Sequence, residues 1–279
     1  MNKKVLSLLF AFILIFSLSV ALTGCAPEEP MDGDDMGMEE GMEEGMEEGM
    51  EMVKITVGTD AAYPPFELID EETGEIVGFD IDLMNKIAET GGFEVEYKNV
   101  NWDGIFVGLD NEDYDAIISA VSITEERKEV YDFSDPYYAI SQALIVRIED
   151  MEAIAGVDDL AGKKVGAQIG TTGAIYVGKL EGVELVNYDD NALAIEALLR
   201  GDVDAVVCDH PVAYDYALVN ESYVGKLEVV NDNLNEGDLE DYGIVVKKGN
   251  AAVLDLINEN LAKVLDEGIE DIEKKWKLK

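Results

Sequence analysis

Lys54-Ile-Thr-Val-Gly-Thr-Asp-Ala-Ala-Tyr-Pro-Pro-Phe-Glu67, and then Gly78-Phe-Asp-Ile-Asp-Leu-Met-Asn-Lys-Ile-Ala-Glu-Thr-Gly-Gly92, carry the pattern that decides the fold. Residues 54–58 form a short β-rich run and read as a strand. Asp80 stands where it can cap a helix whose Ile81, Met84, Ile87 and Ala88 share one face, and Gly91-Gly92 stops that helix. The alternation continues. Residues 116–120, 144–146, 164–167, 184–187, 205–208, 227–230 and 243–246 read as further strands. Between them lie helices at 192–200, closed by Gly201, and at 253–266, closed near Gly268. Strands alternating with helices predict an α/β fold of parallel sheets covered by helices. In such sheets ligands sit beyond the carboxyl ends of the strands, so polar residues at those ends become the candidate site.

The N-terminus predicts where the protein works. Lys3 and Lys4 precede an apolar run at 5–22 that ends in Leu22-Thr-Gly-Cys25. Two positive charges, an apolar stretch and small residues before a cysteine make residues 1–24 a secretion signal of the lipoprotein kind. The run could nearly span a bilayer as an uncleaved anchor, but the terminal cysteine favours cleavage and lipidation of Cys25. Residues 25–52 then form an acidic tether, with Gly37, Gly41, Gly45 and Gly49 recurring every fourth residue. Glycine at that period and repelling glutamates oppose a helix. As a flexible coil the tether spans on the order of 30 Å. The protein is expected outside the cytoplasm, touching the membrane through its lipid alone.

The net charge is −41, and removing the twelve acids of the tether and the two signal lysines leaves −31 on the folded part. Such a surface repels nucleic acid and anionic membranes. Cys208 is the only other cysteine, so once Cys25 carries lipid no internal disulfide can form. Stability must come from an apolar core, which residues 53–279 are long enough to build.

Six segments together resemble the extracellular solute-binding proteins of family 3, the polar amino-acid-binding proteins of ABC importers. They are residues 58–67 and Gly78-Phe-Asp-Ile-Asp-Leu83 within the stretch above, Ser122-Ile-Thr-Glu-Glu-Arg-Lys128, Asp132-Phe-Ser-Asp-Pro-Tyr-Tyr138, Gly170-Thr-Thr-Gly173 and Asp204-Ala-Val-Val-Cys-Asp209. The resemblance covers residues 53–279. It implies a two-lobed fold of the type II periplasmic-binding-protein kind, each lobe a mostly parallel sheet flanked by helices. One lobe would comprise 53–139 and 243–279, the other 140–242, with two hinge strands at its ends.

The site follows from residues and resemblance together. Thr124 can cap a short helix carrying Arg127, whose guanidinium suits bidentate capture of an α-carboxylate; a surface salt bridge to a neighbouring glutamate is the competing role. By resemblance Ser119, Ala120, Ser122 and Arg127 line the first lobe's part of the site. Thr171 and Thr172, between a strand and a helix, offer hydroxyls and amides to the same carboxylate, and Gly173 stands where some basic-amino-acid binders have a longer polar residue. Asp209 ends a strand and can hold an α-ammonium, or equally cap the helix before Pro211.

By resemblance Tyr63 and Trp102 wall the ligand side chain, which an aromatic sandwich favours when it is flat or cationic. Asp60 can pair with a side-chain cation, and Gln168 can donate and accept. These features order the ligands as arginine or lysine, then glutamine. Glu67 reads as a solvated strand residue, His210 as an exposed bystander and Cys208 as a small core residue.

No metal-ligand spacing, nucleophile–base pair or complete Gly-x-x-x-x-Gly-Lys-Ser/Thr phosphate loop is present in the sequence, the run at 173–179 being followed by Leu180, and no cofactor is expected. The reading is a monomeric capture protein serving an ABC permease. A dehydratase or a ligand-sensing subunit on the same fold is the alternative, with Asp60, Glu67 or Asp209 as the acid or base of the former.

Overall fold

The computed structural model describes residues 52–235 and 237–278. The secretion signal, Cys25 and all of the tether up to residue 51 lie outside the described residues. In chain order the strands and helices begin with β1 (Lys54–Thr59), β2 (Ala62–Tyr63), β3 (Glu67–Ile69), β4 (Ile76–Val77) and α1 (Phe79–Gly91). Next come β5 (Glu94–Asn99), α2 (Trp102–Asp110), β6 (Ala116–Ile117), α3 (Glu125–Val130), β7 (Tyr131–Phe133) and β8 (Tyr138–Ile140). β9 (Gln142–Arg147), β10 (Lys164–Gln168), α4 (Thr172–Gly178), β11 (Glu184–Tyr188), α5 (Asn191–Arg200), β12 (Ala205–Asp209) and α6 (His210–Tyr214) follow. The chain closes with β13 (Leu227–Asn231), β14 (Glu240–Tyr242), β15 (Val245–Lys247), α7 (Ala251–Glu267) and α8 (Glu270–Lys275).

Two five-stranded sheets make two lobes. The first has the order β5-β1-β6-β15-β7 and the second β11-β10-β12-β9-β13. In the first, β1 runs parallel to β5 and β6, while β15 is antiparallel to both β6 and β7. In the second, β10 is parallel to β11 and β12, while β9 is antiparallel to β12 and β13. Four strands of each sheet therefore share one direction and a single strand is reversed. The reversed strand is the one by which the chain enters from the neighbouring lobe: β9 follows β8, and β15 follows β14. β8 and β14 pair antiparallel, Tyr138 opposite Tyr242, and form the hinge.

Burial follows the patterns read from sequence. β12 is buried throughout, as a central parallel strand covered on both faces must be. α1 buries Ile81, Met84, Ile87 and Ala88 as expected, and Phe79 and Leu83 besides. Each such fully covered aliphatic side chain contributes roughly 1.5–3 kcal/mol. Several elements were not read from sequence, β5 and α2 among them. β5 alternates charged with half-buried residues and has no buried position, because it is an edge strand. α2 carries glycines at 104 and 108 and lies under the aromatic cluster of Trp102, Phe106 and Tyr131. Among the described residues no helix is long and apolar enough to cross a membrane.

Three expectations are corrected. Asp80 does not cap α1: Gly78 occupies the N-cap and Asp80 lies buried in the first turn. The run at 116–120 is strand only over Ala116–Ile117, because Ala120 turns into the left-handed region with φ 47. His210 is half-buried at the hinge, where its Nδ1 accepts the Ser141 N–H at 3.1 Å.

Candidate ligand-binding cleft

The carboxyl ends of four strands converge between the lobes. Asp60 follows β1, Ser119 and Ala120 follow β6, Gln168 ends β10 and Asp209 ends β12. With Tyr63, Trp102, Ser122, Arg127, Thr171 and Thr172 they line one cleft of ≈ 310 Å³, part of it open to solvent. Every candidate ligand residue named from sequence, Cys25 aside, is thus in this cavity. Glu67 lines it too, with 0% exposure, and so is no solvated strand residue.

Arg127 is placed by its helix. Thr124 caps α3 by accepting the Arg127 N–H at 3.2 Å, which settles the first turn and aims the long side chain inward. The guanidinium donates to the Ser122 carbonyl at 2.8 Å and, across the cleft, to the Gly170 carbonyl at 3.2 Å. It lies 5.4 Å from the Trp102 ring and 5.5 Å from that of Phe106, worth about 0.5–2 kcal/mol per contact. Among the described residues no carboxylate forms an ion pair with it, so the competing surface salt bridge is not formed. Arg127 lines the cavity, and a planar fork so held suits a carboxylate. Burial holds its pKa below the ordinary guanidinium value, yet it stays a cation.

Asp209, on the other lobe, is held by three donors. Its Oδ2 accepts from the Tyr63 hydroxyl at 2.6 Å and from the Tyr242 hydroxyl, and its Oδ1 from Gln142 Nε2 at 2.5 Å. It sits at the N-cap position of α6, but its side chain makes no capping bond. Burial outweighs these donors and pushes its pKa up to about 6, with Glu240 adding repulsion. Gly173 makes room for this arrangement: a Cβ there would stand 2.8 Å from Gln142 Oε1. Gln142 and Tyr242, at the starts and ends of hinge elements, were not singled out from sequence; no local pattern marks them, since they reach the site only by the chain's crossing.

At the far end of the cavity Asp60 accepts from Gln168 Nε2 at 3.3 Å. Burial pushes its pKa up to about 6, and Asp190 and Asp103 push in the same direction. Asp190 caps α5 by accepting the Leu193 N–H at 2.7 Å. The rule that polar residues follow strand ends would have found Asp190, just past β11. The Thr171 hydroxyl is occupied in capping α4, accepting from the Ala174 N–H at 3.2 Å and donating to the Gln168 carbonyl at 2.8 Å. Thr172 Oγ1 faces Ser122 Oγ at 3.5 Å and accepts from Gln142 at 3.1 Å.

The cleft therefore offers a guanidinium with hydroxyls, a buried carboxyl held by tyrosines, and the carboxyl of Asp60, on which Asp103 and Asp190 act from nearby. Among the described residues no cluster of metal-ligating side chains occurs.

Known proteins resemble this chain in sequence and in overall shape. The family model of bacterial extracellular solute-binding proteins, family 3, matches residues 55–279. A Neisseria gonorrhoeae protein named "Probable histidine-binding protein" is 37% identical over 216 residues, 76% of this chain and 78% of its own. The L-cystine-binding protein TcyJ of Escherichia coli K12 is 31% identical over 224 residues, 80% of this chain and 82% of its own. The crystal structure of the arginine-, lysine-, histidine-binding protein ArtJ from Geobacillus stearothermophilus superposes with a TM-score of 0.73 at 38% identity, covering 81% of this chain and 96% of that one.

Proposed function

This chain belongs to the bacterial extracellular solute-binding proteins, family 3, and on that premise we propose that it captures a free polar L-amino acid between its lobes and presents it to the permease of an ABC importer. Arginine or lysine is the first choice of ligand and glutamine the second. The observation that carries the reading is the opposition of Arg127 and Asp209 from different lobes around one cavity. A guanidinium on one wall and a carboxylate on the other match the two charges of a zwitterion, through charge-assisted hydrogen bonds. Asp60 in the cavity lining, with Asp103 and Asp190 adding negative charge near it, favours a side chain that brings a positive charge. The relatives named for histidine and for arginine, lysine and histidine share that preference; the cystine relative marks how far the family's pocket can vary.

In this mechanism the ligand binds the first lobe through Arg127 and the aromatic walls of Tyr63 and Trp102, and the second lobe then closes as Thr171, Thr172 and Asp209 engage it. Closure is the state the permease recognises. Capture without turnover is the reading, since the relatives this chain resembles are named as binding proteins. We read Cys25 as the lipid-bearing residue and the protein as a monomer tethered outside the cytoplasm.

A thermal-shift panel of the twenty amino acids, followed by calorimetry on those that stabilise, tests the reading. Arginine and lysine should raise the melting temperature most. A panel with no stabilising amino acid, or consumption of a prephenate-like compound, would overturn it.

A further inference from the structure

Glu67, from β3, and Asp80, from the first turn of α1, are buried carboxyl residues with 0% exposure each, and one side of each serves the cleft wall. Gly78 brings them together. Phe79 and Asp80 donate their N–H groups to the carbonyls of Pro65 and Phe66, at 3.1 and 3.0 Å. A Cβ on Gly78 would stand 1.9 Å from the Phe66 carbonyl oxygen, so only glycine permits this approach of α1 to β3.

Toward the wall, Glu67 Oε1 accepts from Ser119 Oγ at 2.9 Å, and that hydroxyl accepts the Asp60 N–H at 3.0 Å. Asp80 Oδ2 accepts the Ala120 N–H at 2.7 Å and the Tyr137 hydroxyl at 2.8 Å. Ala120 keeps a left-handed φ of 47, which costs energy for any residue with a Cβ and persists only where surroundings enforce it. The remaining oxygens, Glu67 Oε2 and Asp80 Oδ1, are buried without a donor among the described residues, and the two side chains are within hydrogen-bonding reach of each other. Two ionised carboxylates in contact and out of water repel strongly, and each orphaned oxygen adds the penalty of a missing hydrogen bond. One proton between those two oxygens removes both costs.

We propose that Glu67 and Asp80 share a single proton and that the protonated pair is a positioning element, fixing Ser119 and Ala120 in the geometry that ligand capture requires. Neither residue need touch the ligand for this role. Burial favours the proton. Tyr63 on β2 and Tyr97 on β5 face the pair, the Tyr137 and Ser119 hydroxyls oppose the proton by donating to the carboxyls, and Asp60 favours it with negative charge from beyond β1. Lys275, docked on the same helix, is committed to Asp82. Burial, reinforced at Glu67 by the neighbouring Asp80, pushes both carboxyls above their usual range. Folding must then take up a proton at neutral pH, so stability falls as pH rises from the unfolded carboxyl value toward the folded one.

E67Q is the decisive variant, because its amide can donate to Asp80 while its carbonyl still accepts from Ser119. Calorimetry should find that E67Q binds L-arginine roughly tenfold or more tightly than E67A, which strands both Asp80 and Ser119. Urea unfolding at several values between about pH 5 and 8 should show a shallower loss of stability in E67Q, the difference corresponding to about one proton. The proposal is overturned if E67Q binds as poorly as E67A, or if parent and E67Q have the same stability slope. The affinity arm rests on the proposed function and the unfolding arm does not. If no amino acid binds yet the slopes differ, the functional reading has failed and the shared proton stands.

Discussion

Asp60 and Asp209 are both pushed up to about 6 by burial, and this gives the site an acid limit. A ligand cation is attracted only by the ionised carboxyls. Affinity for arginine should therefore be full above about pH 7 and should fall as pH drops through 6, by up to about tenfold per unit for each carboxyl involved. The sign for stability of the unliganded fold is opposite: a carboxyl whose folded pKa is raised costs stability as pH rises. Titration calorimetry at pH 5, 6, 7 and 8 separates the two. Arg127→Ala and Asp209→Ala should each lose about 2–5 kcal/mol of affinity for every amino acid, because each leaves one charge of the zwitterion unmatched in a buried site. Asp60→Asn should cost arginine far more than glutamine. Tight binding surviving both alanine changes would refute the zwitterion clamp. At this scale the sequence was most legible where a residue follows a strand or caps a helix, as Asp60, Thr124 and Asp209 do. Glu67 was misread because a single acid in a short strand gives no sign of the partner that buries it.

At the scale of elements, the junction of β3 with α1 is the place where the sequence pattern and the packing agree least. The periodicity of Ile81, Met84, Ile87 and Ala88 gave the helix and its buried face, but assigned Asp80 to a cap. The helix start is instead set by Gly78, with φ 145 and no room for a side chain. Gly78→Ala should destabilise the fold by roughly 2 kcal/mol or more, adding backbone strain to a steric clash. Urea denaturation followed by circular dichroism reads this directly, and an unchanged midpoint would mean that α1 can shift away from β3 without loss. β5 escaped the sequence reading for a related reason. Edge strands lack a fully buried face, so their residues carry the weakest pattern.

For the whole molecule, closure is the function. Bonds from Arg127 to Gly170, Tyr63 to Asp209 and Gln168 to Asp60 all span the two lobes. A ligand that bridges the same surfaces adds its differential affinity to the closed state. Small-angle scattering should show a smaller radius of gyration on adding L-arginine, and Arg127→Ala should abolish the change; an identical profile with and without ligand would argue against capture by closure. The sequence by itself determined the alternation of strands and helices, the polar residues at strand ends and the acidic character of the chain, because these depend on local periodicity and composition. Only the tertiary structure decided which of those residues meet. The reversed strands β9 and β15 carry the chain across the hinge, and that crossing sets Arg127 against Asp209 and Tyr242 beneath Asp209, while the clearance at Gly78 sets Glu67 against Asp80 at the foot of the cleft wall. Such pairs are far apart along the chain or depend on one glycine's clearance, and no periodicity records a contact made by folding.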